Sequence, residues 1–113
     1  MSRPAADASV FTAIADGTRR AILWSLRDGE KSVGELMEPL HVSQSAFSQH
    51  LAVLRHAGLV RARREGRHQF YEMTPEPLHE VATWLRHFDQ FWDARLDRLG
   101  RYLEKQRRGR RRT

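Results

Sequence analysis

The spacing of apolar residues changes at Gly58, and no other feature of the chain restricts the fold as much. Before it, Phe47, Leu51 and Leu54 stand at i, i+4 and i+7, the spacing of one buried helical stripe. After it, residues 59–64 (LVRARR) and 68–73 (HQFYEM) are strand-like runs holding Val, Phe and Tyr. Glu65-Gly66-Arg67 joins them as a turn in which Gly66 is free to take positive φ. A helix that feeds directly into a short β-hairpin leaves few topologies open.

The residues upstream narrow the choice. Ser32-Val33-Gly34-Glu35 matches the S-x-x-E capping box at the start of a helix whose apolar side is Leu36, Met37 and Leu40. Pro39 keeps that helix short. Ser43 is a natural N-cap for the next helix, and Ala57-Gly58 closes it. Two short helices a few residues apart, the second polar on its outer side, fit a helix-turn-helix. The hairpin after them makes a wing. The expected fold class is therefore mostly α with a small β-hairpin, a winged helix-turn-helix. Two more helices precede this unit. Val10, Phe11, Ile14 and Ala15 recur at helical spacing, then Asp16-Gly17-Thr18 interrupts and caps a helix carrying Ala21, Ile22 and Leu26 on one face. Asp28-Gly29 ends it.

From Thr74-Pro75 to about Lys105 the helical period returns. Leu78, Val81, Leu85, Phe88, Trp92, Leu96, Leu99 and Leu103 advance in steps of three and four, and Trp84 and Phe91 widen the apolar face. One helix of roughly 28 residues would be about 42 Å long, too long for this small domain to cover. A two-fold related copy is the simplest cover. The aromatic content argues against a terminal helix packing only on its own domain.

Charge is segregated along the chain. The formal net charge is +6, and residues 105–113 (KQRRGRRRT) hold six Lys and Arg and no acid. Residues 43–71 carry Arg55, Arg61, Arg63, Arg64 and Arg67 against Glu65 alone. Residues 72–104 are net acidic. A basic middle between acidic flanks points to an anionic partner. The chain is expected to divide into a DNA-binding and dimerisation domain over residues 1–104 and a basic, disordered tail over 105–113. Cysteine is absent, so disulfides, thiolate metal sites and Cys catalysis are excluded. The N-terminal MSRPAADAS lacks the apolar core of a signal peptide, no run is apolar enough to span a membrane, and a cytoplasmic protein is the default expectation.

The outer face of the second short helix is unusual. At about 100° per residue, Gln44, Ser45, Ser48, Gln49 and Ala52 share one side, away from Phe47, Leu51 and Leu54. A solvated helix face normally shows Lys and Glu, whereas Ser and Gln are short, uncharged hydrogen-bonders. They let a helix approach a major groove and reach base edges, Gln pairing bidentately with adenine. The helix N-terminus offers free N–H groups to phosphates. Arg63, Arg64, Arg67 and His68 near the hairpin tip are the candidate contacts to phosphates or a minor groove.

Together, ADGTRRAIL (15–23), SVGELMEPLHVSQSAFSQHLAVLRHAGLVRARREGRHQFYEMT (32–74) and FWDARLDRLGRYL (91–103) resemble the ArsR/SmtB family of bacterial winged-helix repressors, over about residues 8–104. The resemblance implies a homodimer through the long C-terminal helix and the N-terminal helix, bound to double-stranded DNA at a pseudo-palindromic operator. On that basis the base-reading candidates are Gln44, Ser45, Ser48 and Gln49, with Ser43 capping. The dimerisation candidates are Phe11, Leu78, Val81, Leu85, Phe88, Trp92, Leu96 and Leu99. His50 falls at the family's common His/Gln position. The chain departs from the metal-sensing members. Its helix before the turn reads Val33-Gly34-Glu35-Leu36-Met37 with no thiol, and His79, His87 and Asp89 do not reproduce the family's Asp/His pattern on the last helix. His79 and His87 are two turns apart, roughly 12 Å, too far to share a metal within one helix. No cofactor and no metal ligands are therefore expected, and the resemblance is to a metal-independent branch. Apolar surface between the terminal helices leaves room for a small organic effector.

Two other readings compete. An enzyme would need a nucleophile elbow, a Gly-rich phosphate loop or a carboxylate dyad, and none is visible. A winged helix used as a protein–protein interaction module would present an apolar or acidic face at 44–52, where this one is polar beside a basic wing.

Overall fold

The computed structural model describes residues 6–111, with side chains placed from Val10 to Gly109. It divides into two compact units, the boundary in sequence falling between Val81 and Ala82.

The first unit is built from helices α1 (Ala6–Ile14), α2 (Gly17–Ser25), α3 (Val33–Met37) and α4 (Gln44–His56), and from strands β1 (Lys31–Ser32), β2 (Val60–Glu65) and β3 (His68–Met73). Helix α5 (Leu78–Arg86) begins in it. The two helices expected before the turn are present, and so are the helix-turn-helix and its wing. The three strands form one antiparallel sheet in the order β1-β3-β2. Strand β1 was not visible in the sequence. It is two residues long, Lys31 opposite Tyr71 and Ser32 opposite Phe70, and a period of two cannot be read from two residues.

The core forms where the apolar stripes converge. Ile22, Leu26, Leu36, Phe47, Leu54 and Leu59 are almost wholly buried. Each large side chain among them contributes roughly 1.5–3 kcal/mol by leaving water. The end of α4 shows how local signals and packing agree. Gly58 takes φ +76°, its N–H donates to the Arg55 carbonyl at 2.9 Å, and the Leu59 N–H donates to the Leu54 carbonyl at 2.9 Å. That pair of bonds satisfies two orphan carbonyls, and it drives Leu59 into the core beside Leu54. The chain leaves the helix already aimed along β2.

The terminal helical region differs from the expected single rod. Helix α5 stops at Arg86 and α6 (Asp89–Arg111) starts three residues later. Between them the bonds tighten to i→i+3: the His87 N–H donates to the Trp84 carbonyl at 3.1 Å and the Phe88 N–H to Leu85 at 3.0 Å. His87 Nδ1 lies 3.0 Å from the same Trp84 oxygen, which can only accept. The side chain therefore competes for a carbonyl that a continuous helix would give to Phe88. The apolar steps of three and four run through this break unchanged, so periodicity did not reveal it. Helix α6 continues through residues 105–111, the basic stretch that composition assigned to a disordered tail. Among the described residues no helix is long and apolar enough to cross a membrane.

Candidate nucleic-acid interface

The polar side of α4 is held outward by both ends of the helix. Ser43 has extended backbone and its Oγ accepts the Ala46 N–H at 3.1 Å, so the first turn is capped as the sequence predicts. No acid occupies that turn, which leaves its positive dipole end open to an anion. Phe47, Leu51 and Leu54 bury the inner stripe, and Gln44, Ser45, Ser48 and Gln49 are all exposed. The preceding α3 starts from the predicted capping box, with the Ser32 N–H donating to Glu35 Oε1 at 2.8 Å and the Glu35 N–H to Ser32 Oγ at 3.2 Å. The Ser32 amide and hydroxyl hold the Glu35 carboxyl below its ordinary pKa.

Helix α4 is also tied to the N-terminal helices. Asp16 caps α2, accepting the Arg19 N–H at 3.1 Å, and this bond is the main reason its carboxyl pKa is lowered. The Arg19 side chain donates from Nε to the Ala13 carbonyl at 2.8 Å and from Nη2 to Thr12 at 3.0 Å. Arg20 Nη1 donates to Ile14 at 3.0 Å. The two arginines thus supply side-chain donors to the last carbonyls of α1, that of Thr12 also accepting the Ala15 N–H at 3.2 Å. Arg19 Nη1 lies 3.2 Å from His50 Nδ1, and a guanidinium can only donate, so Nδ1 accepts. His50 sits at the flank of α4, turned toward α2 and away from the reading face. The sequence marked Asp16 as a cap but gave no sign of these long-range roles for Arg19 and Arg20.

Across the hairpin, Gly66 takes φ +63° in a two-residue turn, and the pairing places Glu65 opposite His68, Arg64 opposite Gln69 and Arg63 opposite Phe70. Successive side chains alternate between faces, so Arg63 and Arg64 lie on opposite sides of the sheet. Arg63 shares its side with Phe70, whose ring it covers at 5.0 Å. It donates from Nε to Glu30 Oε2 at 2.8 Å, from Nη2 to Glu30 Oε1 at 2.7 Å and from Nη1 to Glu65 Oε1 at 2.7 Å. Those bonds, Glu30 foremost, push the Arg63 pKa up and the Glu30 pKa down. Arg61 is likewise joined to Glu72, at 2.6 Å. Arg64 and Arg67 are exposed and form no ion pair among the described residues. The four wing candidates therefore divide. Arg64, Arg67 and His68 are open at the tip, and Arg63 is committed within the protein.

The dimerisation candidates divide as well. Leu78 packs against the first unit's core, and Phe11 and Val81 are half-buried. Leu85, Phe88, Trp92, Leu96 and Leu99 are 39–60% exposed, beside Trp84, Phe91, Tyr102 and Leu103. Among the described residues no three His, Asp or Glu side chains gather as a metal site would need.

A helix-turn-helix, a capped uncharged reading face and a basic wing tip converge on one class of known proteins. The family model described as "Bacterial regulatory protein, arsR family" matches residues 16–62, which span α2 to the start of β2. The HTH-type transcriptional regulator Rv2034 of Mycobacterium tuberculosis is 45% identical over 86 residues, covering 76% of this chain and 78% of that protein. The chain belongs to the ArsR family. The transcriptional repressor SdpR of Bacillus subtilis is 32% identical over 80 residues, covering 71% of this chain and 89% of its own. Among solved structures, an ArsR family transcriptional regulator superposes with a TM-score of 0.70 at 31% identity, covering 79% of this chain and 98% of that one. This ArsR-family chain is a DNA-binding transcriptional regulator with a winged helix-turn-helix fold, and the comparisons do not favour a winged-helix protein–protein interaction module without specific DNA binding.

Proposed function

We propose that the protein is a homodimeric repressor of a pseudo-palindromic operator, acting in the cytoplasm. The observation that carries this reading is the combination of the exposed Gln44, Ser45, Ser48 and Gln49 face with Arg64 and Arg67 of the wing, which have no ion pair among the described residues. One α4 enters the major groove of each half-site, and the half-sites lie about 34 Å apart along the duplex. The wing tip meets phosphates or the flanking minor groove through Arg64, Arg67 and His68. Arg63 orients the wing from inside the protein. The two copies join through the exposed apolar residues from Trp84 to Leu103, an extent of apolar surface that a monomer seldom leaves open. Repression is favoured by the likeness to SdpR, a repressor. A chain with no cysteine has no thiol-bound metal switch, and the partner class we assign for control is a small organic effector.

Footprinting on the DNA upstream of its own gene, with and without Zn²⁺ and a chelator, tests the reading. Protection of two half-sites one helical turn apart, indifferent to the chelator, is expected. Equal protection of random sequence would remove the claim of a specific operator.

A further inference from the structure

A cleft of about 300 Å³, with Val33, Met37, Phe47, Leu51 and Ala52 as its apolar wall, opens between α3, α4 and β3, next to the polar face of α4. Gln44 and Ser48 belong to both, so whatever lies against that face also meets the cleft. Its other polar residues are Arg55 on α4 and Gln69 and Tyr71 on β3, and no acid lines it. Arg55 is exposed and has no ion pair or side-chain hydrogen bond among the described residues. Tyr71 is only 4% exposed, yet its hydroxyl has no hydrogen-bond partner among the described residues. No fully buried side-chain oxygen among the described residues lacks a partner, so this hydroxyl keeps some access to solvent, and Tyr71 is one of the residues that line the cleft. The hairpin register sets Arg64 opposite Gln69, on the same sheet face as Tyr71. The cleft therefore combines an unpaired cation, neutral donors and a second unpaired cation beside it.

We propose that this cleft holds one phosphodiester of the DNA backbone in each half-site, with Arg55 as its cation and the Tyr71 hydroxyl and Gln69 amide as neutral donors. The inference rests on the reading of α4 as the groove-entering helix. A duplex that places base edges against Gln44 and Ser48 must carry its backbone past the space between α4 and the wing. The cleft is open rather than enclosed, and Arg64 is paired opposite its Gln69, which suits a strand passing by better than a small ligand that must be enclosed to bind.

The test uses the full chain, the footprinted operator duplex and a random duplex of equal length, with affinity measured over a range of salt and phosphate-ethylation interference mapped on the operator. Arg55→Gln is expected to weaken both duplexes about tenfold. It should reduce the salt slope by about 0.9, the value for one phosphate. It should also abolish interference at one phosphate per half-site while leaving the others. Tyr71→Phe keeps the buried ring, and should weaken binding about threefold and diminish interference at the same phosphate. An unchanged slope and interference pattern in Arg55→Gln, with the wild type still protecting the operator, would overturn the cleft assignment and leave groove reading intact. Failure of the wild type to protect any DNA would overturn both. Binding of benzoate by the wild type but not by Arg55→Gln, with interference unaltered, would make the cleft a small-anion site and overturn the proposal.

Discussion

The Arg63 guanidinium meets the Glu30 carboxylate edge to edge, Nε on Oε2 at 2.8 Å and Nη2 on Oε1 at 2.7 Å. The two residues are far apart in sequence, and their pairing pins the wing to the segment that leads into β1. Bidentate geometry fixes direction as well as distance. Arg64, one residue on, has no ion pair among the described residues. Arg64→Ala should therefore weaken specific and random DNA alike and lower the salt slope by about 0.9. Arg63→Ala should lower the melting temperature and leave the slope nearly unchanged. In a double-mutant cycle, Arg63→Ala with Glu30→Ala should destabilise by less than the sum of the single changes. Additive effects would show that the pair does not couple.

Gln49 stands on the exposed face of α4 with no protein partner among the described residues. Gln49→Ala should lower discrimination by about 1–3 kcal/mol at one base pair, and leave random-duplex affinity little changed. Binding measured against a set of single-base operator variants checks this. Equal weakening on every sequence would remove Gln49 from the reading face.

Ser43 holds the first turn of α4 through the Ala46 amide. Ser43→Ala should destabilise the protein by about 1 kcal/mol, read from denaturant midpoints, and Ser43→Asp should restore it. Operator affinity should not be restored by Ser43→Asp, because the new charge sits at the helix end that faces phosphate.

Glu30, Glu35 and Asp16 all have lowered carboxyl pKa values, from ordinary values of 4.5, 4.5 and 3.8. The folded state thus binds these protons less readily than the unfolded state. Their stabilisation is complete above the unfolded values and is lost as pH falls through the lower folded ones. Melting temperature should decline below about pH 4.5, and more shallowly in Glu30→Gln, whose share is already absent. A decline of unchanged steepness would remove Glu30 from the acid response.

Leu96 and Leu99 are 60% and 51% exposed on α6. Leu96→Asp with Leu99→Asp should convert the protein to monomer in sedimentation and weaken operator binding at least a hundredfold, by uncoupling the two half-sites. The first unit's core lies before Val81, so its helical signal and Phe47 burial should persist.

Much of this architecture was legible in the chain. The Ser32–Glu35 and Ser43 caps, the Gly58 exit, the Gly66 turn and the stripe of Phe47, Leu51 and Leu54 are local, and their causes lie within a few residues of one another. The change of period at Gly58 was enough to name helix-turn-helix followed by wing, and the spacing of Gln44, Ser45, Ser48 and Gln49 already placed them on one face. Which arginines are free was decided by tertiary contacts. Arg61 and Arg63 are neutralised by Glu72 and by the distant Glu30, and only the sheet register shows that Arg64 faces the other way. The cleft of Arg55, Gln69 and Tyr71 exists only because folding brings α3, α4 and β3 together. The break beside His87 leaves the apolar period unchanged, so spacing along the chain does not reveal it. Sequence determines what depends on neighbours along the chain. Pairing of charges, and so which of them remain for DNA, depends on groups brought together by folding.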